Sequence, residues 1–150
     1  MKYKYTIRFA TEYHEPVARL SQIGRWGGPT MGFFLGKKVI GTASLYMQNK
    51  KKKWVHTDQM EIFDKFRNQG HGIHLYLAII RIAKKLGAKR IYSSKCLNKF
   101  SSRMWQVKLD KLLPVIHSGP RCKCKCRNCR YKRDWHYIDL GELNENKIPR

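Results

Sequence analysis

The string Arg67-Asn68-Gln69-Gly70-His71-Gly72 constrains this chain most, because it runs straight into the strongest helical pattern in the sequence. From Gly72 to Leu86, residues Ile73, Leu77, Ile80 and Ala83 recur on one helical face, which Tyr76, Ile79 and Leu86 widen. Lys84 and Lys85 stand at the C-terminal end, where the helix dipole favours cations, and Gly87 supplies a cap. Glycines at 70 and 72 let the backbone ahead of the helix curl, so that successive N–H groups point into one concavity. The helix N-terminus adds partial positive charge there, and a pyrophosphate is a natural guest. Taken alone, two glycines before a helix could equally form a bare turn.

The rest of the chain reads as strands and helices in a definite order. Lys2–Phe9 alternates with a period of two and predicts a strand. A short helix opens at Glu15-Pro16, with Val17, Leu20 and Ile23 on its apolar side. Thr30–Leu35 and Val39–Gln48 predict two strands joined by a Gly36-Lys37-Lys38 turn, and Trp54–Phe63 a third after the basic loop Asn49–Lys53. Beyond the strong helix come a strand at Arg90–Ser94, a helix at Ser101–Leu112, and strands at Pro114–His117 and Trp135–Leu140. That order predicts an α/β or α+β domain with a mixed sheet. With 150 residues, one domain over 1–150 is expected, carrying a basic, Cys-rich loop at 118–134.

Charge is the outlier in composition. Lys and Arg number 32 against 10 Asp and Glu, giving +22 at pH 7, while the 42% hydrophobic fraction argues against a disordered polycation. Such a field attracts polyanions, so nucleic acid, a ribonucleoprotein or an acidic protein is an expected partner. No segment resembles a signal peptide or approaches a membrane span, and a membrane partner is not expected. With five cysteines best read as free or metal-bound thiols, a reducing cytoplasmic location is expected.

Four landmarks in order give the chain a family likeness. Met60-Glu61-Ile62-Phe63-Asp64-Lys65-Phe66 running into Arg67–Gly72 resembles the fourth strand and acetyl-CoA loop of the GNAT acetyltransferases. Gly36–Ala43 is similar to that family's turn between its second and third strands. Leu86–Ile91, and Asn98 three residues before Ser101, are similar to its later landmarks. The likeness covers about Val39 to Leu109. It implies a mixed, mostly antiparallel sheet, splayed at the fourth and fifth strands and flanked by helices. It also implies acetyl-CoA as cofactor and transfer of its acetyl group to a primary amine. Backbone groups of Met60, Ile62 and Phe63 would pair with the pantetheine arm. Amides of Arg67, Asn68, Gln69, Gly70, His71, Gly72 and Ile73 would hold the pyrophosphate, and Asn98 would sit near the thiol end or the pantetheine.

Direct attack on a thioester needs a neutral amine, hence a base or a water chain to one. In a regular fourth strand His56 and Asp58 share a face with Ile62, and either could serve. One extra residue in a bulge would bring in Glu61 instead. Water alone, with no side-chain base, is a further alternative. Many family members carry a tyrosine seven residues after the asparagine to protonate the leaving thiolate. Here that position is Trp105, whose indole is a donor but not a proton acid, and the usual following Gly-Phe is Leu109-Asp110. Tyr92 and Cys96 are candidate substitutes.

Cys122, Cys124, Cys126 and Cys129 form a dense thiol cluster, and Cys126-x-x-Cys129 has zinc-ligand spacing. His117 and His136 bracket this loop and could replace one thiol; the alternative is a solvated basic loop with free thiols. Seven of the thirteen residues from Arg121 to Arg133 are Lys or Arg, and with Lys50–Lys53 they could clamp phosphates. Two rival readings follow: a non-catalytic GNAT-fold module that binds nucleic acid or a partner protein, and a zinc-dependent nucleic-acid adaptor.

Overall fold

The computed structural model of the chain describes residues 4–9, 30–94, 99–117 and 136–150. The helix expected at Glu15, together with Cys96, Asn98 and the Cys-rich loop, lies outside the described residues.

Seven strands form one sheet in the order β1-β2-β3-β4-β5-β7-β6. Strands β1 (Tyr5–Phe9), β2 (Thr30–Leu35), β3 (Lys38–Asn49) and β4 (Trp54–Ile62) make an antiparallel meander. Gly36, at φ +62°, takes the left-handed turn between β2 and β3, as its place in Gly36-Lys37-Lys38 predicts. Strand β5 (Arg90–Tyr92) is parallel to β4. The short hairpin of β6 (Val115–Ile116) and β7 (Tyr137–Asp139) joins β5 through β7, antiparallel. This is the mixed, mostly antiparallel sheet expected from the sequence.

Helix α1 (Gly72–Lys85) makes the crossover from β4 to β5 and covers one face of the sheet. Ala43, Leu45, Val55, Ile91 and Ile138 point into this core beneath Leu75, Ile79, Ile80 and Ala83. Each such fully buried aliphatic side chain contributes about 1.5–3 kcal/mol. The helix ends as expected: Gly87 at φ +93° donates to the Lys84 carbonyl, and Ala88 N–H reaches the Ala83 carbonyl. Its buried surface is wider than the predicted stripe, for Leu75 and Ala78 are buried too, whereas Ile73 is only half-buried. A second helical segment packs beside α1 and covers that extra surface, with the Tyr76 ring edge-on to Trp105.

That second segment corrects one expectation. Ser101–Leu112 is not a single α-helix: α2 spans Lys99–Arg103 and continues as a π-helical turn over Met104–Lys108, closed by Leu109 N–H to the Met104 carbonyl at 2.8 Å. The wider turn brings Met104, Trp105 and Leu109 inward together and leaves Gln106, Val107 and Lys108 exposed.

Candidate functional site

Strands β4 and β5 pair only through Trp54↔Arg90, Val55↔Ile91 and His56↔Tyr92. Beyond that point β4 runs on to Ile62 without β5 beside it, so the sheet is split and one edge of β4 is open. The Thr57 hydroxyl marks the parting, donating to the Tyr92 carbonyl at a long 3.5 Å.

Within the open stretch β4 bulges. Ser44 pairs with Asp58 and Thr42 with Glu61, so two β4 residues, Gln59 and Met60, oppose Ala43 alone. Gln59 sits in the left-handed region at φ +50°, and its amide donates to Asp58 Oδ1 at 2.8 Å. The bulge requires Gly41 opposite, where an added Cβ would collide with the Glu61 carbonyl oxygen. Side chains directly across from each other share a face, so His56, Asp58 and Glu61 stand together with Tyr46, Ser44 and Thr42. The regular-strand expectation, with His56 and Asp58 on the face of Ile62, is thereby corrected: Ile62 pairs with Gly41 and packs toward the core.

Each carboxylate is already engaged. Asp58 ties the bulge, and Glu61 meets the Arg67 guanidinium at 3.4 Å, itself 2.7 Å from Asp64. His56 stacks on Tyr46 with ring centroids 5.5 Å apart. Burial first, and then the Asp58 charge, pushes the Tyr46 phenol above its usual pKa.

Strand backbone groups alternate in direction. The Glu61 carbonyl faces β3, as does Phe63 N–H, which donates to the Ile40 carbonyl at 2.9 Å. Met60 and Ile62 therefore present theirs to the open edge. Phe63 corrects the expectation that three residues offer backbone groups there, because its carbonyl also accepts from Phe66 N–H. The Ile62 carbonyl accepts from Arg67 Nε at 2.8 Å, which folds the Arg67 side chain back over the strand end.

The expected phosphate loop follows. A 3-10 turn over Asp64–Phe66 leads to Asn68 at φ +59° and Gly70 at φ +82°, two left-handed residues that swing the chain into α1. A Cβ at Gly70 would meet nothing within 4 Å, so its glycine serves conformation and leaves the concavity open. Among the described residues no backbone acceptor takes the amides of Asn68, Gln69, Gly70, Gly72 or Ile73. No acidic residue stands in the first turn of α1. A concavity of amides at a helix N-terminus suits a diphosphate.

Sequence reasoning missed what braces this loop. His71 is only 5% exposed, and its Nδ1 lies 2.8 Å from the Tyr5 hydroxyl of β1, while the Tyr5 ring stacks on His74 at 4.4 Å. The alternation of Lys2–Phe9 predicted the strand but not this partner. Burial first, then the nearby His71 and Arg81 charges, holds the His74 pKa below its usual value.

Comparison with known proteins gives this geometry a family. Residues 3–108 match the acetyltransferase (GNAT) family. The chain belongs to the GNAT acetyltransferases. A search by sequence among curated proteins gave no match. Among solved structures, an acetyltransferase from Bacillus subtilis in complex with CoA is similar, with TM-score 0.58 and 19% identity over 91% of this chain and 99% of that one. Spermidine N-acetyltransferase from Vibrio cholerae, in complex with CoA and spermine, has TM-score 0.60 and 16% identity, covering 76% and 66%. A chimera of the Vibrio cholerae enzyme gives TM-score 0.60 and 14% identity, covering 76% and 69%. At such identities the likeness is one of fold, and the split sheet is that of GNAT proteins.

Departures from the GNAT pattern gather on the other side of the split. Trp105 is fully buried, and its Nε1 has no hydrogen-bond partner among the described residues. Tyr92 accepts a hydrogen bond from Arg90 at 3.1 Å and packs between Trp54 and Tyr137. His117 and His136, expected to flank a thiol cluster, meet each other with Nδ1 atoms 2.8 Å apart, and His117 Nε2 lies 3.0 Å from Asp110 Oδ1. Among the described residues no group of three His, Cys, Asp or Glu is arranged to hold a metal ion. No helix among the described residues is long and apolar enough to cross a membrane.

Proposed function

We propose that the protein is an N-acetyltransferase that passes the acetyl group of acetyl-CoA to a primary amine. One observation carries the reading: an open β4 edge leads directly into a left-handed loop whose amides converge at the N-terminus of α1. Amides of Asn68–Ile73 would hold the diphosphate, and Met60, with the amide of Ile62, would pair with the pantetheine arm. Arg67 would act by bracing the loop rather than by reaching outward, since Ile62, Glu61 and Asp64 already hold it. Acetyl-CoA supplies an activated thioester, and the chain's own task is to orient it and to manage protons.

His56 is the base this reading favours. Asp58 and Glu61 share its face but are committed to the bulge and to Arg67. Asn98 near the thiol end remains part of the proposal, as does a single domain spanning 1–150. The acceptor is an amine on a polyanion or within an acidic partner, because the net charge of +22 draws such molecules in. An intracellular, reducing setting suits the five cysteines, and no step of the reaction is routed through zinc.

Thermal unfolding with and without acetyl-CoA tests the reading. At a hundredfold excess over Kd the wild type should gain about 2.7 kcal/mol. A folded Gly70→Glu, Gly72→Glu variant should gain nothing. A folded wild type that shows no shift would end the acetyltransferase reading. CoA release is then screened with spermidine, a lysine peptide and aminoacyl-tRNA. Binding without any turnover would favour the non-catalytic module, and turnover that survives His56→Gln would remove His56 as base.

A further inference from the structure

We propose that Asp110, His117 and His136 form a proton relay that ends at the leaving sulfur of the transfer, a role that rests on the acetyl-transfer reading above. The three residues come from three places: the turn after the π-helical segment, the end of β6 and the residue before β7. They stand in line. Asp110 Oδ1 lies 3.0 Å from His117 Nε2, and His117 Nδ1 lies 2.8 Å from His136 Nδ1.

The line has an outside and an inside. The Asp110 and His117 side chains are about half-exposed, at 47% and 39%, whereas His136 is 2% exposed. Donor rules then fix the proton pattern. A carboxylate only accepts, so His117 Nε2 carries a proton toward Asp110. The 2.8 Å contact between the two Nδ1 atoms needs one proton between them, on either ring. With that proton on His136, both rings are neutral and His136 Nε2 is an acceptor. A proton gained at His136 Nε2 shifts the shared one to His117, which becomes imidazolium beside the Asp110 carboxylate. Proton transfer through the line therefore needs no movement of either ring. The same geometry makes a shared metal ion a poor fit, since His117 uses its two nitrogens on different neighbours.

The inner end is anchored at the split. Ser93 follows Tyr92, the last β5 residue paired with β4. Ser93 N–H donates to the His136 carbonyl at 2.7 Å, and His136 N–H donates to Ser93 Oγ at 3.1 Å. Strand neighbours lie about 4.8 Å apart, so His136 stands one strand from the open edge, on the face that holds Ile91 and Ile138. The two imidazole nitrogens point in nearly opposite directions, so the Nδ1 contact toward β6 turns Nε2 away from β6. Direct transfer forms the acceptor N–C bond and breaks the C–S bond, which leaves a thiolate needing one proton. His136 gives that proton from Nε2, and His117 restores it from solvent. The acceptor nitrogen loses its own proton on the opposite side, at His56 or water. The buried Trp105 indole cannot substitute, because it is no proton acid.

Nitrogen NMR of the histidine rings, on the full chain, tests this apart from turnover. An imidazole N–H protected from exchange is expected in the wild type and lost in Asp110→Asn and in His117→Gln. Adding CoA should shift the His136 Nε2 signal, and adding desulfo-CoA, which lacks only the thiol, should not. Equal responses to the two ligands would overturn the relay while leaving acyl-CoA binding intact. Failure of acetyl-CoA to bind would instead sink the acetyl-transfer reading, and the relay's role with it, even where the protected N–H persists. With an amine that turns over, His136→Gln should lower kcat about 10²- to 10³-fold. Asp110→Asn should lower it about tenfold, and neither should alter acetyl-CoA affinity. Unchanged kcat in a folded His136→Gln would also overturn it.

Discussion

The two sides of the split are built differently. On the β4 side the candidate site is made of backbone: a bulge at Gln59, a glycine opposite it, and a left-handed loop of open amides. On the β5 side it is made of side chains: a buried indole, a stacked Tyr92 and the Asp110–His117–His136 line. Backbone sites hold whatever carries the right charge and shape and tolerate drift in sequence. Side-chain sites decide which atoms give and take protons, and they can be rebuilt from other elements. A family whose members share a cofactor can therefore keep the first side and replace the second, as Trp105 and Leu109-Asp110 do here.

Substitutions on each side should separate stability from cofactor binding. Trp105→Ala empties a fully buried site in the packing between α1 and the π-helical segment and should cost about 3–5 kcal/mol in chemical denaturation. The variant should still gain stability from acetyl-CoA, because none of the loop amides depends on the indole. Gly41→Ala should do the reverse. Its Cβ pushes on the Glu61 carbonyl, costs about 1–3 kcal/mol, and displaces the bulge that aims Met60 and Ile62 at the open edge. The acetyl-CoA shift should shrink by more than the loss of stability explains. Equal loss of ligand response in both variants would erase the distinction between the two sides.

Tyr5→Phe sharpens the comparison, since it removes one side-chain contact within the backbone-built half. The ring stack on His74 survives, but buried His71 loses its partner at 2.8 Å, for a cost of about 1 kcal/mol. Acetyl-CoA affinity should fall several-fold in calorimetry, because the His71 backbone belongs to the loop. Unaltered affinity would mean that the glycine conformations alone set the cradle.

What could be read from the sequence divides along the same line. Gly70, Gly72, Gly87 and the apolar positions of α1 report constraints within one or two helical turns, so their pattern is visible directly. The extra residue in β4 is only half visible: Gly41 and Glu61 are twenty residues apart, and nothing near Gln59 marks it as left-handed. Tyr5 with His71, separated by 66 positions, and His117 with His136, separated by 19, are contacts the sheet creates. The π-helical turn hides for another reason. Trp105 and Leu109 fit an ordinary helical stripe, and the backbone widens because both must reach the core.

The smallest expected effect concerns His74, where the loop meets β1. Burial, followed by the His71 and Arg81 charges, lowers its folded pKa below the ordinary 6.5. The unfolded chain thus takes up a proton at His74 before the native state does. Stability from this group is fully present above pH 6.5 and is lost as pH falls through 6.5 toward the lowered folded value. His74→Phe keeps an aromatic ring for Tyr5 to stack on and removes the titration. Between about pH 7.5 and about pH 5 the variant should therefore lose less Tm than the wild type, by a small margin, while both share every other titrating group. Parallel Tm profiles would mean that the Tyr5–His74 stack opens enough to let solvent reach the ring, and that the β1 brace on the loop is looser than the geometry of Tyr5 and His71 requires.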